Sequence, residues 1–381
     1  MNRRATLIAF ALCLMSALAQ AAGFDWKMER HEGRDYVPLD RIAAFYQLTG
    51  KLVQGTSRVS LSSERAELQV LPESREMLIN GVTHWLAFPP LSLDDRILIS
   101  RLDVSKIIEP SLRPQLISNL KPVRTVVLDP GHGGHDNGAV SYYGYEKDFA
   151  LDVCMRARTM LESRGFKVVM TRASDVFVPL EDRPKVANKI PNSIFVSVHF
   201  NWSPDNKSAS GFEIYSITPR GAPSTVDDYV TERDMLLEWG NIVDVPSVAL
   251  ANSVYSATLG NIPAYDRGLK RARFAVIRLA SVPAILVEGG FLSSPSESRL
   301  IASAAWRAKL AESIVTGIEG YRNLADFKLP PKLLADYQRM NPTGVVLRDG
   351  TRTGSQSAQQ ARATYIPKVS LREPQPPAPI P

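Results

Sequence analysis

Short apolar runs that end abruptly in polar residues recur through the second half of the chain. Val126-Val127-Leu128 leads into Asp129-Pro130-Gly131-His132-Gly133-Gly134, Ile194-Phe195-Val196-Ser197-Val198 into His199-Phe200-Asn201, and Ala284-Ile285-Leu286-Val287 into Glu288-Gly289-Gly290. Runs that are apolar on both faces predict strands inside a helix-covered parallel sheet. Between the first two, Phe149, Ala150, Val153, Ala157, Met160 and Leu161 recur at helical spacing from Lys147 to Arg164, and Gly165 supplies a stop. A further strand is expected over Gly211 to Ile217 and a terminal helix over Trp306 to Asn323. The pattern predicts an α/β catalytic unit with a mostly parallel sheet, over residues 123–325.

A different pattern precedes it. Over residues 23–114, Tyr36 to Tyr46 reads as a strand followed by a helix, and Arg58 to Leu61 and Glu67 to Val70 alternate like half-buried strands. Asn80-Gly81 is a turn candidate. Ile97 to Ile99 followed by Val104 to Ile108 loosely repeats the first strand-to-helix pattern. A small α+β unit is expected here, joined to the catalytic unit by a connector over residues 115–122. From Pro342 the chain carries Gly, Ser, Gln and Pro with few large apolar residues and closes in a Pro-rich run, so residues 342–381 predict a disordered tail.

Composition changes this picture at the beginning. Arg3 and Arg4 precede an apolar stretch from Ala5 to Leu18, and Ala19-Gln20-Ala21 supplies a small-residue cleavage pattern. Residues 1–21 therefore read as a secretory signal peptide, which predicts an exported protein without an integral span. Its loss leaves Cys154 as the remaining cysteine, which rules out an internal disulfide. Cys154 lies on the apolar face of the predicted helix and reads as packing. Loss of Arg3 and Arg4 lowers the formal net charge from +6 to +4, a modest basic excess that fits an anionic cell envelope; no nucleic-acid partner is expected.

The polar strand ends carry the chemistry. In open α/β sheets the functional crevice lies beyond the carboxyl ends of the strands, so His132, His199 and Glu288 would converge from distant parts of the chain. With Glu146 the set holds two imidazoles and two carboxylates: two imidazoles and one carboxylate suit a zinc ion with an open position, and the other carboxylate could handle protons. His132 and His135 form a competing pair at three-residue spacing, disfavoured because a Gly-rich loop does not fix two rings on one face. His31 and His84 stand apart and are not read as ligands. Arg172 and Arg183 are read as structural.

The motifs Leu128 to Gly134, Glu146-Lys147-Asp148, Thr171-Arg172, Ser197 to Asn201 and Val287 to Phe291 resemble, in order and spacing, the zinc-dependent N-acetylmuramoyl-L-alanine amidases of the amidase 3 family. Asn137 stands where these enzymes often carry Pro, and Ser294 where they often carry Asn. The resemblance implies His132, Glu146 and His199 as zinc ligands and Glu288 as the catalytic acid-base. It implies peptidoglycan as substrate, cut at the amide between N-acetylmuramic acid and L-alanine during wall remodelling or daughter-cell separation, in the periplasm or extracellular envelope of a bacterium. Asp129 and Asn201 are expected to support the ligands from behind or to orient substrate, with turn stabilisation as the alternative. A catalytically silent wall-binding protein would be expected to lack a ligand or Glu288, and a classical carboxypeptidase to show His-x-x-Glu, which is absent at His132 to His135. Residues 23–114 resemble the copper amine oxidase N-terminal-like domain, read as a spacer or recognition module rather than a copper site.

Residues 219–246 are longer than in compact family members. Ser224 and Asp227 make a helix start, and Val226, Tyr229, Val230, Leu236 and Leu237 an apolar stripe through Trp239. Some regulated members insert a helix near this point that covers the zinc until an activator protein displaces it. The expectation carried forward is a helix that shapes a wall of the cleft or gates it, with Glu232 or Glu238 approaching the metal.

Overall fold

The computed structural model describes residues 23–52, 58–341 and 346–347. The expected leader, and the expected tail apart from Val346–Leu347, lie outside the described residues.

The apolar runs become the centre of one large sheet. Lys167–Met170, Thr125–Pro130, Ser193–Asn201 and Ala284–Phe291 lie side by side in that order, all parallel. Phe212–Ile217 runs antiparallel to Ala284–Phe291, and Ala264–Ala272 follows parallel to Phe212–Ile217. The class is therefore α/β, as the pattern predicts. Val126, Leu128, Val196, Ile285 and Val287 point to one face, where helices Glu146–Ser163, Asp244–Asn261 and Ala304–Phe327 bring Val153, Leu161, Val254, Leu259 and Ile314 against them. The intervening residues Val127, Phe195 and Leu286 meet Ala187, Val276 and Ile277 on the other face. Both faces are covered, which is why these strands show no alternation in sequence. Cys154 packs in the first of these cores as a free thiol.

In the first unit the two strand-to-helix patterns are partners. Arg34–Pro38 leads into helix Leu39–Tyr46, Arg96–Ser100 into the helical stretch Arg101–Asp103, Val104–Ile108 and Glu109–Leu112, and the two strands pair antiparallel with Tyr36 opposite Ser100. Asn80 and Gly81, both at positive φ, turn the chain between Glu76–Ile79 and Val82–Trp85.

The units are not separated by a free connector. Val82–Trp85 pairs with Ala264–Ala272, His84 opposite Leu269, so a single sheet of twelve strands runs through both. Thr83 donates to Asp266 Oδ2 through Oγ1 (2.9 Å) and N–H (3.2 Å), and Trp85 Nε1 donates to the Arg267 carbonyl at 2.9 Å. Ile117, inside the expected connector, is buried in the catalytic core.

Residues 219–246 do not form the expected helix. They hold a short 3-10 turn, Glu232–Met235, and one helical turn, Trp239–Ile242, before the long helix begins at Asp244. Each turn has its own start: Asp234 accepts the Thr231 N–H at 2.7 Å and Asn241 the Glu238 N–H at 3.0 Å, so the stretch is capped twice and does not run on as one helix. Leu236, Leu237 and Trp239 remain exposed. The register also excludes gating by this segment. Glu213, at the start of Phe212–Ile217, faces Glu288, so Ile217 and the residues that follow it leave from the end of the sheet opposite the functional crevice. Glu238 pairs with Arg278 and Asp234 with Arg273, away from His132 and His199.

One buried charge organises the functional edge. Asp129, with no exposed surface, accepts from Thr171 Oγ1 (2.5 Å), Arg183 Nη1 (2.9 Å) and Ser197 Oγ (2.7 Å). Both carboxylate oxygens are thus engaged by the chain, which fits the expected support of the ligand loop from behind rather than contact with substrate. Removing one member of a buried pair strands the other charge at a cost of about 3–5 kcal/mol. Asp129→Ala is therefore expected to lower unfolding free energy by roughly that amount in urea titrations. A loss below ~1 kcal/mol combined with a raised KM would return Asp129 to the substrate site.

Candidate active site

Three loops and strand ends bring His132, Glu146 and His199 together. Glu146 opens helix Glu146–Ser163, one residue before the expected start, while His199 lies near the end of Ser193–Asn201 and His132 just beyond Thr125–Pro130. Glu146 Oε1 lies 3.1 Å from His132 Nε2 and 2.9 Å from His199 Nδ1. One ligand atom from each of the three falls within 4.8 Å of the others, a grouping able to hold a metal ion.

Each side chain is fixed from behind. His132 Nδ1 lies 2.8 Å from Asp136 Oδ2, which leaves Nε2 directed at the cluster. Glu146 accepts the Ala139 N–H on Oε2 (2.8 Å) and the Phe200 N–H on Oε1 (3.1 Å). His132 itself sits at φ +58, an uncommon backbone for a residue with a side chain. Arg183 holds it there by donating to the His132 carbonyl at 2.8 Å, and Arg172 donates to the carbonyls of Pro130 and Gly131 at 3.0 and 2.7 Å. The two arginines are structural, as the sequence implies, but their partners are mainly carbonyl oxygens of the ligand loop. Space is equally constrained: a Cβ at Gly131 would lie 2.3 Å from the His199 ring, and one at Gly138 2.5 Å from Glu146 Oε2.

His135 takes no part in this cluster. Its exposed ring stacks against Phe177 at 4.3 Å, so the alternative ligand pair of His132 and His135 is not formed.

Glu288 stands beside the cluster, in register with His199 on the neighbouring strand. Its Oε2 atom is buried without a hydrogen-bond partner. Burial, reinforced by the charges of Glu146 and Glu213, holds its carboxyl well above the ordinary range. Glu213, directly across from it, behaves oppositely. Burial raises that carboxyl too, but Lys270 and Arg267 outweigh it and hold the group at about 2. Lys270 Nζ and Arg267 Nε reach Glu213 Oε2 at 2.5 and 2.9 Å, and Asn201 Nδ2 donates to its Oε1 at 2.8 Å. Asn201 is buried and turned toward Glu213, a contact that fits support of the site from behind, the other expected role, rather than contact with substrate. The two carboxyls on paired strands are thus pushed apart, Glu213 downward by its cations and Glu288 upward by burial and its carboxylate neighbours, a separation of the kind acid-base sites use.

The sequence reading missed Asp136 and the Glu213, Lys270 and Arg267 group. Asp136 had a signal, a carboxylate four residues beyond a His in the same loop. Glu213 had a weaker one, a charge inside the otherwise apolar strand Phe212–Ile217.

The family model described as N-acetylmuramoyl-L-alanine amidase matches residues 126–320. The N-acetylmuramoyl-L-alanine amidase AmiA of Escherichia coli strain K12 is 33% identical over 220 residues, which cover 52% of this chain and 76% of that protein. AmiC of Escherichia coli O6:H1 is 33% identical over 218 residues, covering 51% of this chain and 52% of its own. Among solved structures, the amidase AmiC2 of Nostoc punctiforme is 33% identical, covers 52% of this chain and 96% of its own, and superposes with a TM-score of 0.44. The matched span contains every residue of the cluster together with Glu288, and the chain belongs to the N-acetylmuramoyl-L-alanine amidase family.

Proposed function

We propose that the chain is a zinc-dependent amidase that cuts peptidoglycan between the lactyl carbonyl of N-acetylmuramic acid and the amine of L-alanine, with His132, Glu146 and His199 as ligands and Glu288 as the proton carrier. The observation that carries this reading is the convergence of two imidazole nitrogens on one carboxylate oxygen at 3.1 and 2.9 Å, with an unpartnered carboxyl beside them. Ligand atoms around a tetrahedral zinc with bonds of ~2.0–2.1 Å lie ~3.3 Å apart, close to this spacing. Two His and one carboxylate match the three-ligand composition of catalytic zinc sites, and Asp136 behind His132 supplies the outer partner such ligands use. A bound zinc ion supplies Lewis-acid polarisation of the amide carbonyl and makes water a competent nucleophile at neutral pH.

The chain's own contribution is proton handling and placement. Glu288 takes the proton released as water attacks the carbonyl carbon and delivers it to the nitrogen as the C–N bond breaks, leaving a lactyl carboxylate and a free L-alanine amine. Burial and the neighbouring charges of Glu146 and Glu213 raise the proton affinity of Glu288, which suits it to take a proton from water. Residues 23–114 are read as an accessory unit of the copper amine oxidase N-terminal-like type, and export to the bacterial envelope follows from the leader pattern and the substrate. No helix among the described residues is long and apolar enough to cross a membrane.

Mass spectrometry of purified peptidoglycan after incubation with the zinc-loaded protein is expected to reveal intact stem peptides with free L-alanine amines and glycan strands that keep the lactyl group. Cuts confined to the peptide or to glycosidic bonds would overturn the assignment. Glu288→Gln is expected to retain zinc by metal analysis while turnover falls ~10²-fold or more, because it removes proton transfer alone. His199→Ala is expected to lose both metal and turnover, and zinc missing from the Glu288→Gln protein would mean that ligand and base have been exchanged. Asp136→Asn is expected to weaken zinc affinity by about 10–100-fold in a chelator competition, the usual effect of removing an outer-shell partner; unchanged affinity would show that His132 needs no such support.

A further inference from the structure

A two-stranded ribbon, Val140–Ser141 paired with Gly144–Tyr145, stands next to the ligand cluster. It presents large side chains with little cover: Val140 is 51% exposed, Tyr142 95%, Tyr143 43% and Tyr145 42%. The tip is defined by hydrogen bonds, since Ser141 Oγ accepts the Tyr143 N–H at 3.2 Å and donates to the Gly144 carbonyl at 3.0 Å. Tyr142 and Tyr143 meet edge to face with ring centres 5.2 Å apart. Folding does not account for these rings. A tyrosine left 95% exposed removes almost no apolar surface from water, and turn tips ordinarily draw Gly, Asn, Asp or Ser.

The ribbon is anchored to the chemistry. Glu146, the residue after it, donates its N–H to the Ala139 carbonyl at 2.9 Å and accepts the Ala139 N–H on Oε2 at 2.8 Å. Lys147 then reaches across to the Gly134 carbonyl and Asp175, both at 2.8 Å, tying the base of the ribbon to the opposite bank. Three residues of extended chain place the tip ~10 Å from the Glu146 ligand.

The charge pattern chooses among occupants. Val140 to Tyr145 carries no ionisable group of either sign at neutral pH, which suits a neutral glycan and offers nothing to the carboxylates of a peptide. A pyranose ring has apolar C–H faces and polar edges, and a tyrosine has an apolar body with a polar tip, so the two stack with each hydroxyl left in water. The bond cut under the proposed function has a sugar on its acyl side, and in a polymer that sugar has neighbours extending outward from the cluster.

We propose that the ribbon Val140–Tyr145 is a glycan platform on which Tyr142 and Tyr143 stack against pyranose rings flanking the one that carries the peptide. This rests on the amidase reading, but the test does not depend on turnover. Binding of neutral, peptide-free glycan chains, oligomers of N-acetylglucosamine, is measured by calorimetry on the zinc-loaded protein and on a Tyr142→Ala/Tyr143→Ala variant. The variant is expected to bind at least about tenfold more weakly, with the Tyr142→Trp/Tyr143→Trp protein retaining affinity. Melting temperature and zinc content should match the parent, since substitutions at exposed positions shift stability by less than ~0.5 kcal/mol. Equal affinity in parent and alanine variant overturns the platform. So does release of stem peptides by a parent protein that does not bind bare glycan. A parent that binds glycan chains through these tyrosines yet releases no stem peptide leaves the platform standing and sinks the amidase mechanism instead.

Discussion

The functional edge depends on a charge that water never reaches. Asp129 ends a strand whose residues are all buried, and a carboxylate in that position is tolerable only with its oxygens fully engaged. Arg183, Thr171 and Ser197 engage them, and each comes from a different segment of the chain. The same Arg183 continues to the carbonyls of Pro130 and His132, so neutralising Asp129 and holding the ligand loop are one act. Left to itself, His132 would relax from its positive φ. A burial penalty in the core is thus converted into the position of a ligand on the surface of a cleft.

Three glutamates near that cleft illustrate how environment assigns roles to identical side chains. Burial alone would make each of them neutral. Glu146 faces two imidazoles and receives two backbone N–H groups, which hold its carboxyl well below the ordinary range and suit it to a cation. Glu213 is surrounded by Lys270, Arg267, Asn201 and Tyr215 and stays charged with no function toward solvent. Glu288 is pushed the other way, upward, by burial and by the charges of Glu146 and Glu213. The difference lies in neighbours supplied by other strands.

The seam between the two units has a similar logic. Ala264–Ala272 would be an edge strand of the catalytic sheet, with unpaired backbone groups beside Glu213's cations. Val82–Trp85 covers part of that edge, and Thr83 and Trp85 occupy Asp266 and the Arg267 carbonyl. The accessory unit therefore braces the strand that carries Arg267 and Lys270, two strands away from Glu288 in the sheet order. The segment after Pro219 lies at the far end of this same sheet, where it contacts Arg75 of the accessory unit through the carbonyls of Ser224 and Asp227.

The apolar runs by themselves determined the α/β class, the principal strands and the helix that follows the first of them, because both faces of those strands are buried and burial writes directly into composition. Strand ends rich in Gly and His located His132, His199 and Glu288, since a side chain that must face a cleft sits where the ladder stops. What the sequence left undecided depends on pairs of residues far apart in the chain. Asp129 and Asn201 look like cleft residues from their positions, but their partners Arg183 and Glu213 turn them inward. The helix expected after Ser224 met the local spacing of apolar residues, yet the chain restarts at two separate caps, Thr231 with Asp234 and Glu238 with Asn241, and Leu236 and Leu237 of its stripe stay exposed. Whether that segment could reach the cleft was decided by the antiparallel register of Glu213 with Glu288, which sends the chain away from the site. Periodicity records whether a residue is buried; only the tertiary structure decides which partner it is buried against, and that partner sets its charge, its direction and its role.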